Sequence, residues 1–495
     1  EKISKLPLTQ YGDPVMVGRA VAAAVNAPDD NGVVYGMWSE DFSGGTRPTQ
    51  WIGSPKILRK YYKTQKPVKY GQCFVFAGVA TTVFRALGIP SRTVTCFMAA
   101  HDYECSHTID RFVGDDGEIL SGFSKDLIWN YHVWSEIWTK RPDLGPEYDG
   151  WQVVDGTPQE LSDNLYRCGP APVVAIKKGD VQKPYDVAYV FSEVNADVVF
   201  WKYQGLTQPL KLLQTDTIRV GRLISTKAVG SYEREDLTDQ YKYEEKSREE
   251  RLIMLKALQC SDNMKSRYYL NEEFNDVKFE LQLVEDITIG NSYSVYLNAK
   301  NVSKINHKVT VKLRSATQNY HGEIVNIIKR EAKSVAVAAE SEEKLVMVIN
   351  YEDYSSYISD DIIYQVCALC KVEGTDFEYF AQDDFRMVLP SITIELEGTP
   401  VANQVLHGSA FFKNPLPVKL KNCVFLIEGP GLEKGLKYKI KDVPAHGMAK
   451  VYFKMTPTFY GKQTILAKFN SNLLNNVDGY LTVAVDEGNV NGSYR

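Results

Sequence analysis

Hydrophobic positions along this chain follow two periods. Between Cys73 and Leu87 the run is mostly apolar, and Phe76, Val79, Val83 and Leu87 recur at the spacing of one helical face. Gly88 and Pro90 are stop signals, so the pattern predicts a helix with Cys73 in its first turn and its end near Leu87. Trp129 to Trp138 reads instead as a strand. The turn Arg141-Pro142-Asp143-Leu144-Gly145-Pro146 follows, then a second strand, Trp151 to Asp155. A hairpin about that turn sets His132 directly opposite Asp155. Residues 231 to 251 are charged and polar. Beyond about residue 275 the chain becomes short alternating strands: Val277 to Leu283, Tyr293 to Ala299, Val309 to Leu313, Lys344 to Asn350. This is the pattern of β-sandwich or barrel modules.

The β-rich part repeats weakly. Lys300-Asn301 is followed by Val311-Lys312-Leu313, and Lys413-Asn414 by Val418-Lys419-Leu420. Two modules of roughly 110 residues fit, close to a common domain size, the second opening at Leu389-Pro390. All seven tryptophans fall at or before Trp201, which marks the same division. The expected organisation is a mixed α+β core over residues 1–270, then all-β modules over 275–388 and 389–495.

Composition narrows the class. A chain of 495 residues is long for one domain. Its net charge of -5 gives no reason to expect nucleic-acid binding. No apolar run approaches the ~20 residues that span a bilayer, and Glu1-Lys2-Ile3-Ser4-Lys5 lacks the apolar core of a signal peptide. Extracellular and cytoplasmic locations both remain open. The eight cysteines are scattered and make no disulfide framework. Cys367-Ala-Leu-Cys370 has CxxC spacing but lies in an apolar strand-like run with no second pair at zinc-site spacing. Asn301-Val302-Ser303 and Asn491-Gly492-Ser493 are glycosylation sequons, too common by chance to set a compartment.

The candidate chemistry begins at Cys73. A thiol in the first turn of a helix feels the positive end of the dipole, which favours the thiolate. The bland reading is a buried structural cysteine. A nucleophilic cysteine needs a base, and the base an orienting group. His132 opposite Asp155 offers both, since a carboxylate fixes the imidazole tautomer and stabilises the imidazolium. Taken alone, that pair reads as a satisfied core histidine beside a turn aspartate. Taken with the Cys73 helix, it reads as a catalytic set.

Tyr70-Gly71-Gln72-Cys73, the His132 strand and Trp151-Gln152-Val153-Val154-Asp155-Gly156-Thr157-Pro158-Gln159-Glu160 together resemble the animal calcium-dependent transglutaminases. The resemblance continues through Arg167-Cys168-Gly169-Pro170, through Ser192-Glu193-Val194-Asn195-Ala196-Asp197-Val198 and through Ser225-Thr226-Lys227-Ala228-Val229-Gly230. It covers residues 11 to 255 closely and the β-modules loosely. It implies a papain-like core with a Cys73, His132, Asp155 triad, followed by two immunoglobulin-like β-barrels. The implied reaction is acyl transfer from a protein glutamine, through a cysteine thioester, to a protein lysine or another primary amine, with deamidation as the side reaction. The implied partners are glutamine- and lysine-bearing proteins, and a homodimer is open. Trp51 matches the family's oxyanion-hole indole and Trp129 the second wall of its substrate tunnel. Without the resemblance both are core aromatics.

The resemblance also implies calcium (Ca2+). Asn195, Asp197, Glu245 and Glu250 match the main site, although composition alone makes Glu245 and Glu250 a solvated helix start. Asp102, Glu104, Ser106 and Asp126 match a second site, with Glu104 and Ser106 departing from the more usual Asp and Asn. Asp41, in Trp38-Ser39-Glu40-Asp41, matches a third loop that lacks its asparagines. Tyr320, in Asn319-Tyr320-His321-Gly322, matches the tyrosine that covers the cysteine at rest; the plain alternative is a strand-end tyrosine.

Three departures stand out. The core starts almost at once, at Tyr11-Gly12-Asp13-Pro14, so the family's N-terminal β-sandwich is expected to be either trimmed or lost. Phe74 replaces the usual tryptophan after the nucleophile. Only Cys168 precedes Gly169-Pro170, so a vicinal disulfide there is excluded. Two competing functions are a cysteine protease on the same core and a non-enzymatic scaffold. Trp51, Trp129 and the calcium motifs argue against the first, and the intact Cys73 against the second.

Overall fold

The structure, a computed structural model, describes residues 6–487 except 40, 206, 209, 261–275, 284–285, 321, 359–362, 376 and 433–434. Residues 1–273 and 320–323 form one compact unit; residues 274–319 and 324–495 form the other.

In the first unit the apolar run becomes the helix Cys73–Ala86. Gln72 precedes it in an extended conformation, so Cys73 is its first residue. Leu87 caps the far end and Gly88 follows with φ +82°, a left-handed turn that glycine adopts without strain. The buried face includes Phe76, Val79, Ala80 and Phe84, packed with Val25, Ile57 and Val154. Phe76 and Phe84 are fully buried, each stabilising the helix position by on the order of 2 kcal/mol. Leu87 is 59% exposed, so the buried stripe ends a turn earlier than the periodicity predicts.

Beside this helix lies a six-stranded antiparallel sheet in the order Arg234–Asp236, Leu223–Lys227, Ser91–His101, Leu127–Thr139, Gly150–Asp155, Cys168–Pro172. Helix and sheet are stitched at Ser135, whose Oγ donates to the Ala77 carbonyl at 3.0 Å and meets Thr81 Oγ1 at 3.0 Å. The expected hairpin forms, but its register pairs Ser135 with Val154 and Ile137 with Gln152. That is two residues away from a direct His132–Asp155 pairing. A shift of two preserves the strand's alternation, so both side chains still share a face. A smaller sheet pairs Thr108–Val113 in parallel with Asp197–Lys202, the strand that follows the helix Val187–Asn195.

Among its described residues the second unit is all β apart from short helical turns. Its strands form a three-stranded and a four-stranded sheet, then another such pair with the same connectivity. The repeat read from the sequence has a physical counterpart. Asn301 and Asn414 are both buried, and each donates its side-chain amide to the carbonyl four residues on, Ile305 at 2.7 Å and Val418 at 2.9 Å. These bonds close equivalent turns after equivalent strands. They also occupy the Asn301 amide, so the first sequon is a structural asparagine; Asn491 lies outside the described residues. Cys367 and Cys370 lie three apart on the strand Ile363–Val372, hence on opposite faces, both buried and unlinked.

Candidate active site

The helix and the sheet bring a sulfur, an imidazole and carboxylates into one buried place. Cys73, His132 and Asp155 are each at most 1% exposed. His132 Nε2 lies 2.7 Å from Asp155 Oδ2, and the other Asp155 oxygen accepts from the Thr157 backbone N–H at 2.8 Å. Burial favours the neutral ring, but the charge and hydrogen bond of Asp155, with the nearby sulfur of Cys73, outweigh it. They hold the His132 pKa well above the ordinary histidine value. The imidazole is therefore poised to carry a proton beside the sulfur.

Glu193 approaches from the helix Val187–Asn195, its Oε1 3.7 Å from His132 Nε2. Burial, with the opposing pull of His132 and the added charge of Asp155, leaves its pKa raised to about 8. His132, Asp155 and Glu193 each bring a possible ligand atom within 4.8 Å of the others; their mutual hydrogen bonds and charges already account for that closeness. Gln159 completes the cluster, its Nε2 2.8 Å from Asp155 Oδ2 and 2.7 Å from His132 Nε2. Glu193 and Gln159 were part of the sequence motifs but nothing in their spacing singled them out.

Aromatic rings enclose the sulfur. Trp129 is edge-on to His132 at 4.8 Å and lies 5.4 Å from the Tyr320 ring. Tyr131 meets Tyr320 at 5.3 Å. The Tyr320 hydroxyl is 3.1 Å from Cys73 Sγ. Burial pushes the Tyr320 phenol pKa well up, so the hydroxyl keeps its proton. Trp51 differs from expectation in orientation: its indole N–H donates to the Tyr70 carbonyl at 2.8 Å and is not free for an oxyanion.

The residues matched to the main calcium site converge. Asp197 and Glu250 are fully buried, and Asn195 Nδ2 donates to Glu250 Oε1 at 3.2 Å. One guanidinium, Arg251, serves both carboxylates, at 2.8 and 3.0 Å to Asp197 and at 2.5 Å to each Glu250 oxygen. Glu245 is ion-paired with Lys242, and burial together with the Glu250 charge raises its pKa. An all-oxygen donor set with buried negative charge suits a hard cation; Arg251 fills that electrostatic role in this structure.

The second set is only partly assembled. Asp102, Ser106 and Asp126 are buried, whereas the Glu104 side chain lies in an exposed turn. Asp102 already accepts from the His107 N–H at 2.6 Å and from Ser192 Oγ at 3.0 Å. Asp126 accepts from the N–H groups of Tyr103 and Asp110. A cation there would have to displace bonds that hold the loop. Asp41 is exposed and accepts from the Ser43 N–H at 2.9 Å, the geometry of a turn former.

Comparison with known proteins finds relatives of the chain as a whole. A model described as the transglutaminase-like superfamily matches residues 50–156. Another, the transglutaminase family C-terminal ig-like domain, matches 277–382 and 390–487. The chain is 54% identical to annulin of Schistocerca americana, over 99% of this chain and 65% of that protein. It is 38% identical to hemocyte protein-glutamine gamma-glutamyltransferase of Tachypleus tridentatus, over 97% of this chain and 64% of that protein. It is 37% identical to protein-glutamine gamma-glutamyltransferase E of Mus musculus, over 97% and 70%. The chain thus spans just under two thirds of the length of the first two. The crystal structure of red sea bream transglutaminase superposes with a TM-score of 0.83 at 35% identity, covering 97% of this chain and 70% of that one.

Proposed function

The chain belongs to the transglutaminase family, and from that premise we propose that it is a calcium-dependent protein-glutamine gamma-glutamyltransferase. Its catalytic core spans 1–270, followed by β-barrels over 275–388 and 389–495. The observation that carries the reading is the buried cluster of Cys73, His132 and Asp155, with the imidazole hydrogen-bonded to the carboxylate.

Cys73 Sγ attacks the side-chain carboxamide carbon of a protein glutamine. The C–N bond breaks, and the departing nitrogen leaves as ammonia with the proton that His132 holds. The resulting thioester is attacked by a lysine ε-amine. The C–S bond breaks, His132 takes the amine proton and returns it to the sulfur, and an isopeptide cross-link remains. Water in place of the amine gives glutamate. Trp129 walls the approach to the sulfur, and an apolar wall disfavours water and a charged ammonium alike. Trp51 contributes an oxyanion donor once its N–H leaves the Tyr70 carbonyl, joining the Cys73 backbone N–H.

Asn195, Asp197, Glu245 and Glu250 hold calcium, which supplies the charge that Arg251 and Lys242 supply in this structure. Asp102, Ser106 and Asp126, with Glu104 at the rim, form a weaker second site. The His132–Asp155–Glu193 cluster is left to proton transfer. Tyr320 is the resting cover of Cys73. The substrates are glutamine- and lysine-bearing proteins. The test is incorporation of a fluorescent primary amine into casein with calcium and with excess chelator. Calcium-dependent labelling supports the reading; labelling that ignores the chelator removes calcium from it, and no labelling at any calcium concentration refutes it.

A further inference from the structure

The amide of Gln159 has every hydrogen-bonding group committed inside the cluster. Its Nε2 donates to Asp155 Oδ2 at 2.8 Å. Its Oε1 accepts from the Tyr189 hydroxyl at 2.8 Å. Tyr189 and Glu193 stand four apart on the helix Val187–Asn195, so one helical face supplies both. A flipped amide turns its carbonyl oxygen toward the Asp155 carboxylate, so this orientation is the one that keeps a donor on Oδ2. The same amide nitrogen lies 2.7 Å from His132 Nε2, which places imidazole and amide side by side on one carboxylate oxygen.

We propose that Gln159 is a positioning residue for the acyl transfer, sharing Asp155 Oδ2 with the imidazole and anchored in turn by Tyr189. It does two things. It holds the Asp155 carboxylate in the rotamer that meets His132 Nε2. It also disperses part of the carboxylate charge, so that the imidazolium is stabilised enough to form and not so much that it keeps its proton. The proposed reaction asks His132 to give a proton in one half and take one in the other, and both halves slow if that balance shifts. The titratable groups facing His132 are Asp155 from the neighbouring strand, Glu193 from the helix and Cys73 from the nucleophile helix. Gln159 is the neutral group set among them.

The inference rests on the acyl-transfer reading, and its test separates the two. The calcium-loaded full chain is assayed for amine transfer between pH 6 and 10 as wild type, Gln159→Leu and Tyr189→Phe. Gln159→Leu keeps the volume and removes the donor. Its kcat is expected to fall about ten-fold, the size of one well-placed hydrogen bond, with KM for the glutamine substrate unchanged and the alkaline limb moved to higher pH. Tyr189→Phe loosens the amide without touching Asp155 or His132 and is expected to shift the same limb by less. A lower kcat with an unmoved limb in both variants assigns a merely structural role and overturns the proposal, as does unchanged kcat. If Gln159→Leu does not fold, Tyr189→Phe alone decides. An inactive wild type refutes the reading beneath it instead.

Discussion

The Tyr320 hydroxyl lies 3.1 Å from the Cys73 sulfur, in contact with the atom on which the proposed reaction depends. Cys73 is fully buried, and the ring that covers it also meets Trp129 and Tyr131. In this arrangement the proposed nucleophile is assembled and covered at once.

Tyr320→Phe keeps the ring and removes the hydroxyl. One hydrogen bond is worth about 1 kcal/mol, so alkylation of Cys73 by iodoacetamide in the calcium-free protein is expected to rise about five-fold. Tryptic mass spectrometry of the Cys73 peptide reads it. An unchanged alkylation rate removes the hydroxyl from the resting cover.

Asp155→Asn preserves shape and removes the charge that holds His132 in its protonated form. Amine transfer is expected to fall by about 10²-fold or more, with the chain still folded by circular dichroism. Activity within a few-fold of wild type contradicts the assigned role.

Buried Glu193 has a pKa raised from 4.5 to about 8. The folded chain therefore holds a proton there that the unfolded chain has released. Its contribution to stability is complete below about pH 4.5 and is lost as pH rises through about 8. Glu193→Gln cannot ionise, so the decline in unfolding free energy across that window is expected to flatten. Parallel urea melts at pH 5 and pH 8.5 measure the difference; equal slopes in both proteins contradict the raised value.

The proposed main calcium site predicts a direct binding defect. Asp197→Asn removes one of two fully buried carboxylates that share Arg251. Calcium affinity by calorimetry is expected to drop at least about ten-fold, whereas Asp41→Asn, at an exposed turn, is expected to leave it unchanged. Equal affinity in Asp197→Asn and wild type refutes the assignment.

Much of this was legible in the sequence, and the exceptions have physical causes. The helix that begins at Cys73 was readable because its 3.6-residue period and its Gly88 stop are local signals. The meeting of His132 and Asp155 was readable in kind though not in register, because a two-residue slip keeps both side chains on one face. The parallel roles of Asn301 and Asn414 were foreshadowed by a short repeated motif. What stayed hidden depends on distant parts of the chain. Glu193 arrives on a helix that carries no signal of pointing at His132, and Gln159 acquires meaning only when Tyr189 fixes its amide. The Trp51 indole N–H found the Tyr70 carbonyl, a choice of partner that no periodicity encodes.

The most direct test of the central claim is the intact mass of the calcium-loaded protein, rapidly quenched in acid after mixing with a glutamine-containing peptide and no amine. The account predicts an adduct equal to the peptide less ammonia, attached at Cys73 and released by an added primary amine. An adduct on another residue, or turnover of the peptide without any covalent adduct when Cys73 is replaced by alanine, contradicts it.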